Sequence, residues 1–341
     1  MIPPPAITVA QAHASAISPE LQTAVAKRIG VDGGIAIVLR SDGKGVRIDR
    51  IGTTHAPKVD ENTRFEIGEV SEAITGTLLA DEVRRNELRV DEPLSQVTTT
   101  SSTDVRLPAR YAGALTLSAL ATHRSGLPRI PLREARQPYD AYDRAALVAL
   151  VNGAAFAAQP GSRYAPSNVD YALLGMLLAD RAGTSYAQLA ANRIFTPVEM
   201  KGALADGLGD DTLVRSYGID GTVAEPWRWR AFTPEGGVRA SGLDLVKFAN
   251  LLFSDDQGPL ERDVREAATP IADAGPDTGI GLGWLTDRAS GVVYASGSTH
   301  GSVAFVGVSK QHRESLVILA NVGLGFAGGS FDDLGIRILA Q

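Results

Sequence analysis

The sequence predicts an α/β chain, α+β in layout, in which strands from both chain ends build one lobe and a helical segment is inserted between them. Three observations predict it. Strand-like runs lie near the N-terminus, over 33–52, and return from Gly279 onward. Between them, residues 74–200 are mostly helical in pattern. Neither an internal repeat nor a low-complexity tract breaks that order. A cleft between two such lobes is the default place for a small molecule.

The elements follow in order. Residues 19–29, PELQTAVAKRI, have apolar spacing suited to a helix. GGIAIVLRSDGKGVRIDRIG reads as two strands joined by a tight turn at Asp42-Gly43-Lys44-Gly45. Phe65-Glu66-Ile67 is a short strand-like run that reaches Gly68. The longest clean helical pattern follows, VSEAITGTLLADEVRRNEL. LTLSALATHRSGLP is a helix closing on a Gly and Pro stop. YDRAALVALVNGAAF, VDYALLGMLLADRAG and SYAQLAANRIF are three more helices. Residues 201–235, rich in Gly, Asp and Trp, read as loops with short strands, and GLDLVKFANLLFS as a helix. GLGWLTD, GVVYASG, SVAFVGVS and ESLVILANVG are strands, and FDDLGIRILAQ is a C-terminal helix. The expected organisation is a mobile N-terminus over 1–18, carrying Pro3-Pro4-Pro5, and a single domain over 19–341. Its α/β lobe takes 19–68 and 236–341, and its mainly helical lobe takes 69–235.

Composition narrows the function. The 341 residues are 44% hydrophobic and 21% charged, enough for a large core. A net charge of −6 argues against nucleic acid or an anionic membrane as partner. The absence of cysteine excludes disulfides, thiolate metal sites and a cysteine nucleophile. No apolar run is long enough for a membrane span. The first residues lack a basic segment followed by a long apolar one, so the expected compartment is the cytoplasm, or the periplasm or exterior if a leader precedes the chain. No compact histidine spacing points to a metal, and no cofactor is expected. The expected partner is a small-molecule ligand or substrate held between the lobes.

Several stretches carry a family resemblance. FEIGEVSEAITGTLLADEVRRNELRVDEPL, LATHRSGLP, PGSRYAPSNVDYALLGMLLADRAGTSYAQLAANRIFTPVEM, GIGLGWLTD and ASGSTHGSVAFVGV resemble the serine β-lactamase and penicillin-binding proteins. The nearest group is the class C β-lactamases with their esterase relatives. The resemblance implies a β-lactamase-like fold, an antiparallel sheet flanked by helices plus an inserted all-helical lobe. It also implies that the catalytic motifs are replaced. The S-x-x-K frame reads Glu69-Val70-Ser71-Glu72. The Y-x-N frame reads Pro166-Ser167-Asn168, and the K-T-G or H-x-G frame reads Ala295-Ser296-Gly297. Of the acylating side chains only Asn168 remains, together with the shaping glycines Gly68, Gly297 and Gly301.

What chemistry two glutamates support is the question this raises. Glu69 alone is explained by the preference of a helix start for an acid. Glu72 lies one turn on, on the same helical face. Two like charges in a partly desolvated cleft raise one pKa. The reading is an enzyme performing non-covalent acid–base chemistry (cyclisation, elimination, isomerisation or hydrolysis) on a small molecule, with Glu69 and Glu72 catalytic. Glu72 is expected to carry the raised pKa, with Glu69 ionised at the helix N-terminus. Asn168, Ser167, Ser296, Gly297, Ser298, His300 and Arg129 are expected to bind substrate. The resemblance puts the backbone N–H groups of 69 and 298 at the family's oxyanion-hole positions, within reach of the Glu69 carboxylate itself. His123 is read as scaffold, and Trp227 and Trp229 as a cleft wall or as loop packing. A non-catalytic ligand- or partner-binding pseudoenzyme is the alternative. A serine hydrolase with a displaced nucleophile, Ser71 or Ser167, is the third reading.

Overall fold

Long β-branched and aliphatic runs become strands here because both faces of their sheet are covered. The computed structural model describes residues 8–9, 15–53, 55–100, 104–111, 113–129, 137–206, 213–323 and 330–341. The strands are β1 (Thr8–Val9), β2 (Ile35–Ser41), β3 (Gly45–Gly52), β4 (Arg64–Glu66), β5 (Ser216–Tyr217), β6 (Val223–Ala224), β7 (Arg239–Ser241), β8 (Ala272–Gly275), β9 (Thr278–Ile280), β10 (Leu285–Asp287), β11 (Val293–Ser298), β12 (Val303–Ser309) and β13 (Glu314–Ala320). The helices are α1 (Pro19–Arg28), α2 (Val70–Arg84), α3 (Leu94–Thr100), α4 (Leu117–Ala121), α5 (Arg144–Asn152), α6 (Asn168–Ala182), α7 (Tyr186–Ala190), α8 (Thr196–Val198), α9 (Thr233–Gly236), α10 (Gly242–Asn250), α11 (Pro259–Ala267) and α12 (Asp332–Leu339).

Nine strands form one sheet in the order β1-β3-β2-β13-β12-β11-β10-β9-β8. All neighbours are antiparallel except β1 on β3. Its centre therefore joins the two chain ends, β2 to β13. The register sets which side chain goes where. Ala295, Val306, Val317 and Leu39 align across four strands, and all four enter the larger core cluster shared with α2, α6 and α10. Their neighbours Phe305, Ile318 and Val38 align one residue over and enter the second cluster, under α1 and α12. Period two delivers alternate residues to opposite faces, so a strand buried on both sides reads as an unbroken apolar run. β12 is such a strand, buried along its whole length.

The hairpin turn falls at Asp42–Gly45 as read. Asp42 accepts N–H groups from Lys44 and Gly45 at 2.9 Å, and Gly43 takes φ +84°. The segment SYAQLAANRIF is only partly α-helical: after α7 it passes into a π turn over Ala191–Phe195. In GLGWLTD only Leu285–Asp287 is strand, because Gly281 to Trp284 turn onto α2. Of the N-terminal segment expected to be mobile, residues 1–7 and 10–14 lie outside the described residues. Residues 15–18 are packed instead. Ala16 and Ile17 are buried, the Ile17 N–H bonds Asp49 at 2.9 Å, and Ser18 caps α1. An apolar pair beside a helix cap has a core to enter.

Candidate functional site

The site forms where α2 begins against β11. β4 delivers the chain to Gly68, whose φ of +52° turns it into the helix. A side chain at Gly68 would start 2.6 Å from the Ser298 nitrogen, and one at Gly297 2.3 Å from the Glu69 nitrogen. Both positions need glycine because two backbones meet there. The contact aims backbone donors at the Glu69 carboxylate. Ser298 N–H donates to Glu69 Oε2 at 2.8 Å, and the residue's own N–H also favours the charged form. Burial outweighs both and pushes the Glu69 pKa up; the Glu72 charge adds to the rise and Arg129 opposes it.

One turn along α2, Glu72 Oε2 lies 3.2 Å from His123 Nε2. His123 follows α4 in a left-handed backbone conformation, φ +52°, which a non-glycine residue adopts at a cost. Its Nδ1 lies 3.4 Å from Asp170 Oδ2 and 3.3 Å from the Ser167 N–H. Burial by itself would lower the imidazole pKa. The charge of Glu72, with Asp170 beside it, overrides that and lifts it to about 10. Asp170 is buried in α6, which raises it to about 6 against the pull of His123 and Ser125. The Ser125 hydroxyl donates to its Oδ1. A line of groups thus runs from the partly exposed Glu72 to a buried acid.

Asn168, at the head of α6, spreads its amide between two buried groups. Nδ2 donates to the Tyr139 hydroxyl and to Glu235 Oε1, each at 2.7 Å. Glu235 lies in α9 and is 1% exposed. Burial holds its pKa well above the carboxylate range, and the charges of Glu69 and Glu72 push it further. Tyr164 is raised to about 12 by burial and by Glu72, and its ring meets His123 edge-on at 5.9 Å.

The expected site residues separate into two groups. Glu69, Glu72, Asn168, Gly297 and the Ser298 N–H come together. Arg129 is exposed, and its charge reaches Glu69 and Glu235. Ser167 is buried, its hydroxyl donating to Pro128 O at 3.1 Å, so it does not present that group to a ligand. Ser296 and His300 are corrections. Ser296 pairs with Phe305 and so faces the other side of the sheet, where it bonds the Asp332 carboxylate of α12. His300 is exposed beside the 218–220 loop, 3.4 Å from where a Gly218 side chain would start, and its charge acts on Asp220. The division of roles within the pair is also corrected. It is Glu69 whose pKa burial raises, while Glu72 has the imidazole to face. Ser71 packs inward, its hydroxyl accepting the Val238 N–H at 3.1 Å. Trp227 and Trp229 pack the loop around Tyr139, Trp229 stacking at 4.5 Å and 17°.

Glu235 and Asp170 did not stand out in the sequence as site residues. The available signal was an acid inside an apolar stretch, FTPEGGV for one and SNVDYALLG for the other. Among the described residues no three His, Cys, Asp or Glu side chains are grouped so as to hold a metal ion.

Comparison with known proteins accords with this architecture. The D-alanyl-D-alanine-carboxypeptidase/endopeptidase AmpH of Escherichia coli K12 is 25% identical over 287 residues, 77% of this chain and 71% of that protein. Penicillin-binding protein 4 of Amycolatopsis lactamdurans is 25% identical over 222 residues, 62% of this chain and 56% of its own. The D-alanine carboxypeptidase AmpC from Burkholderia cenocepacia superposes with a TM-score of 0.74 at 22% identity, covering 94% of this chain and 96% of its own. A class C beta-lactamase from Rhodobacter sphaeroides gives 0.75 at 18% identity with the same coverage. These two structures share the fold. The family model described as Beta-lactamase matches residues 25–341, and the chain therefore belongs to the beta-lactamase family, a family of serine hydrolases.

Proposed function

We propose that the site carries out acid–base chemistry on a small molecule without forming an acyl-enzyme. The observation that carries this reading is the pair of carboxyl groups at the head of α2, one on backbone N–H groups and one against an imidazole. In the family frame these are the positions of the nucleophilic serine and its lysine. Glu69 occupies the Ser298 N–H, so the donors that would stabilise an acyl-transfer oxyanion already hold a carboxylate. Its raised pKa suits it to carry a proton to substrate. Glu72 accepts a proton, and His123 balances its charge. Cyclisation, elimination, isomerisation and hydrolysis by an activated water all fit this pair. The serine readings lose support because the Ser71 and Ser167 hydroxyls are buried and engaged with Val238 and Pro128.

The test compares the wild type with Glu72→Gln and Glu69→Gln on a panel of amino-acid esters, amides and lactones. A proton-transferring group contributes about 100-fold to 10,000-fold, so each variant should lose that much kcat. An unchanged kcat in Glu72→Gln sinks the assignment. Binding with no turnover in any variant favours a pseudoenzyme, a reading supported by the joint replacement of all three motifs.

A further inference from the structure

We propose that Asp170 is a positioning residue for Glu72 that acts through His123, sharing a proton that stays on His123 Nδ1 while Glu72 is ionised and moves to Asp170 Oδ2 when Glu72 takes a proton. Its part in turnover rests on Glu72 being the proton acceptor of the reaction. Where the proton sits does not rest on that.

The first observation is a buried oxygen with one neighbour to share a proton with. His123 stands between two carboxyl groups, with Nε2 3.2 Å from Glu72 Oε2 and Nδ1 3.4 Å from Asp170 Oδ2. Glu72 is partly exposed, while Asp170 is 0% exposed. Asp170 Oδ1 takes the Ser125 hydroxyl, whose own oxygen accepts the Leu127 N–H at 2.8 Å. The Ser125 hydrogen is therefore committed to Oδ1. Asp170 Oδ2 is buried and has no hydrogen-bond partner among the described residues. Its contact with Nδ1 is slightly longer than a hydrogen bond, a gap that a small side-chain movement closes.

The second observation is a competition at Nδ1. The Ser167 backbone N–H faces it at 3.3 Å. A backbone N–H can only donate, so this bond needs an unprotonated Nδ1, whereas the ion pair with Asp170 needs a protonated one. With the proton on Nδ1, Asp170 is served and the Ser167 N–H is not. With the proton on Oδ2, Nδ1 accepts from Ser167 and Asp170 is neutral. Each placement satisfies one buried group at the expense of another.

The charge on Glu72 then decides between them. An ionised Glu72 stabilises the imidazolium across 3.2 Å. Once Glu72 is protonated, burial favours a neutral imidazole beside a neutral acid. The protons balance. Glu72 gains one from the substrate, one passes from Nδ1 to Oδ2, and Nε2 keeps its own. Asp170, raised by burial to about 6, is a receptive acceptor near neutral pH. Tyr164, from the loop before α6, and Tyr171, from α6, also face the imidazole. Burial raises both phenols, so they keep their protons. Glu72 is thus ionised before proton transfer, and no isolated buried cation is left after it.

NMR of protein labelled with nitrogen-15 in the histidine rings and carbon-13 in the aspartate carboxyls tests this, with His123→Asn assigning the ring signals. At pH 7 the wild type should show both His123 nitrogens protonated and Asp170 ionised. Glu72→Gln, which mimics the protonated acid, should show Nδ1 unprotonated and the Asp170 midpoint raised from about 6 to above 7. Asp170→Asn should lower the His123 midpoint by about 1–3 units, the effect of losing an opposite charge at such a distance. Asp170→Glu should restore it. If Asp170→Asn fails to fold, the comparison of wild type with Glu72→Gln decides. A neutral His123 in the wild type, an imidazolium in Glu72→Gln, an ionised Asp170 beside a neutral imidazole there, or an unmoved midpoint in Asp170→Asn overturns the proposal. On a turned-over substrate, Asp170→Asn should lower kcat about tenfold or more with KM unchanged, one pKa unit being a factor of ten. An unchanged kcat there, where Glu72→Gln loses turnover, overturns the positioning role. An unchanged kcat in Glu72→Gln overturns the acid–base chemistry, and the spectra alone then decide where the proton sits.

Discussion

At the residue scale, His123 decides how the site is charged. It holds a disfavoured backbone conformation and lies between two carboxylates, so its surroundings, not its own preference, keep it there. Its folded pKa of about 10 lies above the unfolded value of 6.5. A raised pKa means that the folded state binds the proton more tightly. The stability this contributes is complete below pH 6.5 and is lost as pH rises through about 10. Urea unfolding between pH 6 and pH 10.5 should show that decline, and His123→Asn should flatten it; the same slope in both proteins would place the titration elsewhere. Glu69 makes a second case. Glu72 adds to its upward shift, so Glu72→Gln should lower the Glu69 midpoint in an NMR titration of labelled carboxyl carbons. An unmoved midpoint would mean that the two acids do not share one site. The Ser71 and Ser167 hydroxyls are buried and engaged with Val238 and Pro128, so intact-mass spectrometry should find no stoichiometric adduct with a β-lactam or a fluorophosphonate.

At the element scale, α2 is the axis of the molecule. It is buried along most of its length and lies against α6, α9 and α11. Its glycine marks the closest approach: a side chain at Gly76 would start 1.8 Å from the Leu282 carbonyl oxygen. That contact presses the loop before β10 onto the helix. From the other side, a side chain at Gly283 would start 2.3 Å from the Glu72 carbonyl oxygen. Gly76→Ala should therefore destabilise the protein by about 1–3 kcal/mol or more, as overpacking does, despite the better helix propensity of alanine. Denaturant unfolding would measure it, and a stabilised variant would contradict the packing. α11 is not among the helices that the sequence predicts, although its start is legible. Gly258-Pro259 precedes an amphipathic stretch whose inward residues include Val264 and Ala267.

At the scale of the whole molecule, the site is assembled from segments far apart in the chain. Glu69, His123, Asn168 and Glu235 come from four elements or loops, and the Ser298 N–H from a fifth. Rebuilding one segment should not rebuild the function. On the proposed frame, in which Glu69 and Glu72 stand at the family's serine and lysine, Glu69→Ser with Glu72→Lys restores the first motif only. Pro166 and Ala295 still stand in the other two, and the new lysine would face His123 across the 3.2 Å now bridged by Glu72. The double variant should show little ester or nitrocefin hydrolysis, since groups that act as a unit are strongly non-additive. It should also unfold at a lower temperature than the wild type. Efficient turnover would show that the frame places these two residues wrongly.

The sequence by itself determined the elements and the frame. Unbroken apolar runs gave β12 and β13, the Asp42–Gly45 turn gave the β2–β3 hairpin, and helical periodicity gave α2, α6 and α12. Glu69 and Glu72 were legible as a pair because three residues is a fixed distance on a helix. Tertiary structure decided everything that depends on which elements meet. Register, not residue type, turned Ser296 towards α12. Burial raised Glu69 above its solvated range. Glu235 and Asp170 joined the site because α9 and α6 pack on α2. Local periodicity fixes the face on which a side chain lies, whereas desolvation and charge coupling depend on neighbours brought together by folding, which no spacing along the chain encodes.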